Sequence, residues 1–208
     1  MRNQIIEFYN DPDFQRLNSY YNRTTIFNIL NIERRELSHS AFLKWLFDIN
    51  GSHNFGEEPL KKLLRMLVNT DNDNILSEDI LNILLIGDYE IHNFHIETEK
   101  VVESDKNKGR IDIFAKFNIF KENSEKDFKK DIIVIIENKV DSKHHDDQTT
   151  TYKEWAEKKY NESVIIPIYL TPYPESEKDE ITNYFIITYQ DILEHVIEPL
   201  LNMEIDSD

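Results

Sequence analysis

The sequence predicts a mixed α/β domain. Apolar residues recur at helical spacing up to about residue 88, and a two-residue alternation takes over near residue 90. Three alternating segments in succession are then followed by a helix, two apolar strands and a last helix, so that a meander meets a right-handed crossover. A chain of 208 residues is long enough for one well-cored domain, with residues 1–88 mainly helical and 89–208 forming the α/β core.

Residues 12–22 and 25–31 have helical patterns, the second with Thr24 as its cap. RRELSHSAFLKWLFD predicts a longer amphipathic helix with Leu37, Ala41, Trp45 and Leu46 at helical spacing. NGSHNFG (50–56) is a loop. The segment from Glu57 to Asn69 predicts a helix with Pro59 in its first turn and Leu60, Leu63, Leu64 and Leu67 on one stripe. Ser77 is placed to cap a short helix.

Residues 90–103, 110–120 and 131–140 predict three strands, the last rich in Ile and Val as a central, doubly covered strand would be. The stretch at 121–130 is then a solvated hairpin connection. A helix at 146–161, strands at 163–171 and 184–189, and a final helix at 191–203 bent near Pro199 complete the order.

Composition excludes several classes. With 39% hydrophobic residues and 12% aromatics, wholesale disorder is not expected. No run approaches the roughly 18 apolar residues of a membrane span, and the N-terminus lacks the pattern of a secretory signal. Zero cysteines exclude disulfides, thiolate zinc sites and a cysteine nucleophile. A cytoplasmic protein with no membrane contact is expected. The net charge of −16 is unusual for a chain that meets phosphate, but it is unevenly spread. Residues 100–160 hold 14 basic against 13 acidic side chains, so the acidity lies in the flanks. Tight non-specific binding along a duplex is disfavoured, and a local contact assisted by a divalent cation is left open.

Alternate residues of a strand share a face, so Glu137 and Lys139 project together from the end of the most apolar strand. Charged side chains there are costly unless used. A hairpin that pairs this strand with its predecessor brings Asp112 beside Glu137. Two close carboxylates repel unless a cation lies between them, and Mg²⁺ favours such oxygen ligands. Lys139 would then stand beside a scissile phosphate, orienting the nucleophile or offsetting charge. The bare tripeptide carries no weight, since Glu157-Lys158-Lys159, Asp127-Phe128-Lys129 and Asp141-Ser142-Lys143 match it as well. The first falls on a predicted helix and the others in loops. A structural Glu–Lys pair is the plain alternative at Glu137 and Lys139.

The run GRIDIF (109–114), then IIENK (135–139), then DDQTTTYKEW (146–155) resembles the PD-(D/E)XK nuclease superfamily, in the branch whose helix carries Gln-x-x-x-Tyr. The earlier run IERRELSHSAFLKWLFDINGSHNFG is similar to the start of one bacterial subfamily, and the likeness spans roughly residues 25 to 172. The resemblance implies a restriction-endonuclease-like core, αβββαβ with a mixed central sheet, carrying added N-terminal helices. It implies that Asp112, Glu137 and the Asn138 carbonyl hold Mg²⁺ or Mn²⁺, that Lys139 is the catalytic lysine, and that Gln148 and Tyr152 lean over the site. Ile111 stands where the superfamily's name has proline. The upstream acid is one of Glu97, Glu99 and Glu103, with Glu99 or Glu103 favoured. Glu36 and His39, i and i+3 on one helix, are implied as an accessory ligand or phosphate contact, and Arg110 as a substrate-positioning residue.

His53 is expected to be a plain loop histidine, and His144 and His145 with Asp146 and Asp147 a solvated turn. Trp45 and Trp155 are expected in or near the core. The function expected from the resemblance is metal-dependent hydrolysis of DNA, less so of RNA, in phage defence, mobile-element biology or repair. The alternative is a module of the same fold that binds nucleic acid or protein without cleaving. A homodimer or a protein partner is compatible with either, and since related proteins are often longer, a C-terminal portion is either missing here or naturally absent.

Overall fold

The alternating segments build one five-stranded sheet in the order β1-β2-β3-β4-β5. It is seen in a computed structural model that describes residues 8, 10–21, 29, 35–70, 75–103, 108–122, 127–140, 146–172, 181 and 183–203. The chain forms two compact units, residues 1–35 and 36–208. In the first, helix α1 (Pro12–Tyr21) is capped by Asp11, whose carboxylate accepts from the Asp13 and Phe14 amides at 2.9 and 3.0 Å. The helix expected at 25–31, with its Thr24 cap, lies outside the described residues apart from Ile29.

The second unit begins with α2 (Glu36–Phe47), α3 (Glu58–Thr70) and α4 (Glu78–Ile86). The α3 stripe is buried as its spacing requires, with Leu63, Leu64 and Leu67 fully enclosed. Ser77 holds the N-cap position of α4, but its side chain makes no capping bond, and Gly87 closes the helix in a left-handed turn at φ 72°. Helix α2 corrects the expected face. Its buried residues are Ser40, Leu43, Leu46 and Phe47, whereas Leu37, Ala41 and Trp45 face outward, Leu37 at 62% exposure. The helix carries two apolar stripes, and the one inside is the one whose polar member, Ser40, finds a partner in the sheet.

Strands β1 (Glu90–Glu103), β2 (Lys108–Lys121) and β3 (Phe128–Asn138) run antiparallel. Strand pairing therefore extends into the expected connection, and Phe128 and Lys129 begin β3 instead of lying in a loop. Helix α5 (Asp146–Lys159) carries the chain to β4 (Val164–Leu170), which pairs parallel with β3, and β5 (Phe185–Ile187) pairs parallel with β4. Pro167 is tolerated in β4 because pairing with β5 starts only at Ile168. The last helix is α6 (Tyr189–Ile192), a π-helical turn (Leu193–Ile197) and α7 (Glu198–Leu201). The expected bend near Pro199 is thus a wider turn placed just before it, where the proline cannot supply an amide.

Along β3, Ile132, Val134 and Ile136 join the main core with α2, α3 and α4, whereas Ile133 and Ile135 join a second cluster under α5 with Phe114, Tyr152 and Tyr169. That alternation sends Glu137 to the α5 side and Asn138 to the α2 side. The β1–β2 ladder runs on to Glu103↔Lys108 while the β2–β3 ladder stops at Ile113↔Ile136, so the hairpin overhangs the end of β3. In this overhang Ile111 packs with the α5 cluster, whereas Ile113 lies in the main core. Glu99, at φ +57°, breaks the β1 pattern opposite this point. Among the described residues no helix is long and apolar enough to cross a membrane.

Removing buried side chains should separate the two α2 faces. Leu43→Ala is expected to cost about 2–5 kcal/mol and Leu37→Ala less than about 0.5 kcal/mol, both read from denaturant unfolding. Equal losses would contradict the observed orientation of α2.

Candidate active site

The end of β3 is where the sheet exposes charge. Asp112 follows the last β2–β3 register pair outward, which sets it level with Glu137. Its Oδ2 accepts the Asn138 amide at 2.7 Å, taking the place of a ladder bond. The amide of Lys139 donates to the Leu170 carbonyl at 2.8 Å and continues the parallel ladder, so residues 137–139 are held from both neighbouring strands. Glu137 is 3% exposed and Lys139 9%, and Lys139 Nζ lies 2.7 Å from Glu137 Oε1. The three side chains meet in a cleft of about 500 Å³, walled by Glu99, Arg110 and Tyr152.

The electrostatics follow from the burial. Removal from water pushes the Asp112 carboxyl up to about 6, although the Asn138 amide and Lys139 oppose the rise. It pushes Glu137 up to about 7, aided by the Asp112 charge. Burial works against the Lys139 ammonium, but the charge and hydrogen bond of Glu137 outweigh it and hold the amine above its ordinary value. Glu137 Oε2 is buried and accepts no hydrogen bond from the described residues.

A hard divalent cation suits this donor set. Two ionised carboxylates side by side, one with an unmatched buried oxygen, are the arrangement a cation neutralises. Among the described residues no group of three or more His, Asp or Glu side chains converges as a metal cage. An ion such as Mg²⁺ retains several waters and needs only one or two carboxylates, so the pair fits it.

The other anticipated residues separate into two groups. Glu99 reaches the cleft, where its carboxylate pairs with Arg110, whereas Glu103 pairs with Lys108 at 2.6 Å at the hairpin's outer end and does not line the cleft. Glu97 is turned to Lys100 and His95. Tyr152, on α5, is 2% exposed and its phenol oxygen accepts the Arg110 amide at 3.1 Å. Gln148 is in the first turn of the same helix, and its side chain lies outside the described residues, as do His144 and His145. Glu36 approaches from α2. Its Oε1 accepts the Val140 amide at 3.1 Å, and its charge adds to the rise of both carboxyls. His39 does not line the cleft and packs edge-on against Tyr189 at 5.4 Å.

His53 is more than a plain loop histidine. It is 9% exposed, its Nδ1 accepts the Phe55 amide at 3.0 Å, and its Nε2 lies 3.1 Å from the Asp48 carbonyl, which fixes the loop after α2. Trp45 is 39% exposed and donates to Ser52, while Trp155 packs against the second cluster.

Gly109, Ser40 and Tyr189 were not singled out by sequence reasoning. A Cβ at Gly109 would lie 2.3 Å from the Tyr152 ring, so only glycine lets α5 close on the hairpin. One of only four glycines in the chain, placed inside a strand, was the available signal. Ser40 and Tyr189 both bond the Asn138 carboxamide, a contact that no local pattern reveals.

The family model described as PD-(D/E)XK nuclease superfamily matches residues 24–205. No curated protein and no solved structure matches the chain.

Two outcomes check this geometry. Because the folded Glu137 carboxyl holds its proton to about pH 7, stability present at low pH is lost as pH rises from the ordinary carboxylate range through that value. In metal-free buffer Glu137→Gln is therefore expected to be the more stable protein at pH 8, by on the order of 2 kcal/mol. The gap should close only as the pH falls below 4.5, where the unfolded carboxyl becomes protonated like the folded one. A variant less stable at pH 8 would mark a structural Glu–Lys pair. Gly109→Ala is expected to cost about 1–3 kcal/mol by overpacking, partly recovered when Tyr152→Ala is added. Additive losses in the thermal midpoint would contradict the close approach.

Proposed function

The chain belongs to the PD-(D/E)XK nuclease superfamily, and from that premise we propose that it hydrolyses phosphodiester bonds of DNA with Mg²⁺ or Mn²⁺. The observation that carries this reading is the buried Asp112–Glu137 pair, one of its oxygens without a hydrogen-bond partner among the described residues, with the Lys139 ammonium beside it. Asp112, Glu137 and the Asn138 backbone carbonyl would hold the ion, with Glu99 a further carboxylate at the cleft wall. When bound, the ion polarises the phosphate and makes neighbouring water more acidic.

The chain's own residues supply the rest. Lys139 is held protonated, so it acts as a charge and hydrogen-bond donor toward the phosphate and the attacking water, not as a base. Lys108 and Arg110 stand at the rim of the cleft where flanking phosphates would pass. Tyr152, its phenol kept protonated by burial, holds the Arg110 backbone and with it the position of the overhanging hairpin. The net charge of −16 is compatible with a few local phosphate contacts and disfavours extended duplex binding. That same charge favours a second reading, a module of this fold that does not cleave.

Incubation of supercoiled and linear DNA with the protein across a Mg²⁺ or Mn²⁺ titration separates the two. Cleavage is expected only with the divalent ion, and faster than on RNA of the same sequence. Asp112→Asn, whose amide oxygen still accepts the Asn138 amide, and Lys139→Ala are each expected to slow it about a hundredfold or more. A folded wild type that binds the ion yet cleaves no nucleic acid would leave the non-cleaving module as the function.

A further inference from the structure

The middle residue of Glu137-Asn138-Lys139 is bonded through its side chain and its backbone alike. Asn138 is fully buried on the α2 side of the sheet. Its Nδ2 donates to Ser40 Oγ at 3.0 Å and to the Glu36 carbonyl at 3.3 Å, and its Oδ1 accepts the Tyr189 hydroxyl. Both ends of the carboxamide are therefore assigned, because the Glu36 carbonyl can only accept, which turns the nitrogen to α2 and leaves the oxygen to the Tyr189 hydroxyl. On its backbone, the Asn138 N–H fixes Asp112 Oδ2 at 2.7 Å. Tyr189 is itself held: Thr188 caps α6 in a reciprocal box with Asp191, and the His39 ring packs against the phenol at 5.4 Å.

We propose that Ser40 and Tyr189 are positioning residues for the cation ligands, acting through Asn138 from the layer behind the sheet. The inference rests on the reading of Asp112 and Glu137 as cation ligands. Side chains 137 and 139 project into the cleft from the two peptide units that join at Asn138. A rotation of that residue would swing both, and would release Asp112 from its amide partner. Leucine matches the shape of asparagine but makes none of these bonds, and aspartate cannot donate to Ser40 or to the Glu36 carbonyl. The clasp explains why a polar side chain occupies a fully buried strand position that faces away from the cleft.

Calorimetric titration with Mn²⁺, together with the metal-free unfolding midpoint, tests the clasp without relying on cleavage. Tyr189→Phe is expected to weaken Mn²⁺ binding about tenfold, as supporting hydrogen bonds around metal ligands typically do. Ser40→Ala, which keeps a good helix former in α2, is expected to weaken it several-fold, and it carries the test should Tyr189→Phe fail to fold. Ile80→Val, a core change on α4, should lower the midpoint and leave Mn²⁺ affinity as it was. Hydrogen exchange at the Asn138 amide is expected to quicken in both clasp variants. Affinity within twofold of wild type in a folded clasp variant, while Glu137→Gln loses Mn²⁺, overturns the inference alone. Glu137→Gln binding Mn²⁺ as tightly as wild type overturns the ligand reading, and the inference with it.

Discussion

One hydrogen bond organises this site: the Asn138 amide to Asp112 Oδ2. It lies where the β2–β3 ladder has ended and the β1–β2 hairpin still runs on, so a side chain completes what the backbone no longer pairs. Without it, two ionisable groups at the end of an apolar strand would have no fixed separation. With it, they sit side by side in a place from which most water is excluded, and the Asp112 charge raises the cost of ionising Glu137. A stable fold would not keep such a pair for its own sake, since replacing buried charge by apolar groups is often neutral or stabilising. Under the proposed reading, a bound cation would offset the cost of burying the pair.

The layers on either side of the sheet divide the work. On the α5 side, Tyr152 meets the Arg110 backbone and closes on Gly109, which sets the wall of the cleft. On the α2 side, Ser40, the Glu36 carbonyl and Tyr189 grip Asn138, which sets its floor. Strand β3 lies between them, and its alternation of faces lets adjacent residues serve opposite layers. Members of the PD-(D/E)XK nuclease superfamily share the fold. In this chain, three residues of one strand link both layers to one cleft.

Much of this was legible before any coordinates. The change from helical to two-residue period placed all three meander strands, and the same-face rule put Glu137 and Lys139 together on one side. What stayed hidden has physical causes. Helix α2 offers two apolar stripes, and the one that turns inward carries Leu43, Leu46 and Phe47 with Ser40, whose partner Asn138 lies in a distant strand, while Leu37 and Trp45 turn outward. Glu99 and Glu103 share a parity along β1, and the choice between them depends on where the hairpin leaves β3 and on the left-handed turn at Glu99, neither of which periodicity encodes. Tyr189 is 51 residues from Asn138, and contacts at that separation leave no mark on local pattern.

The most direct test of the central claim is a crystal of the protein grown with Mn²⁺ and measured near the manganese absorption edge. The account expects one anomalous peak between the carboxylates of Asp112 and Glu137, on the α5 side of the sheet, with Lys139 Nζ still beside Glu137. A map with no peak there in a well-ordered crystal, or with manganese only at surface carboxylates, would contradict it.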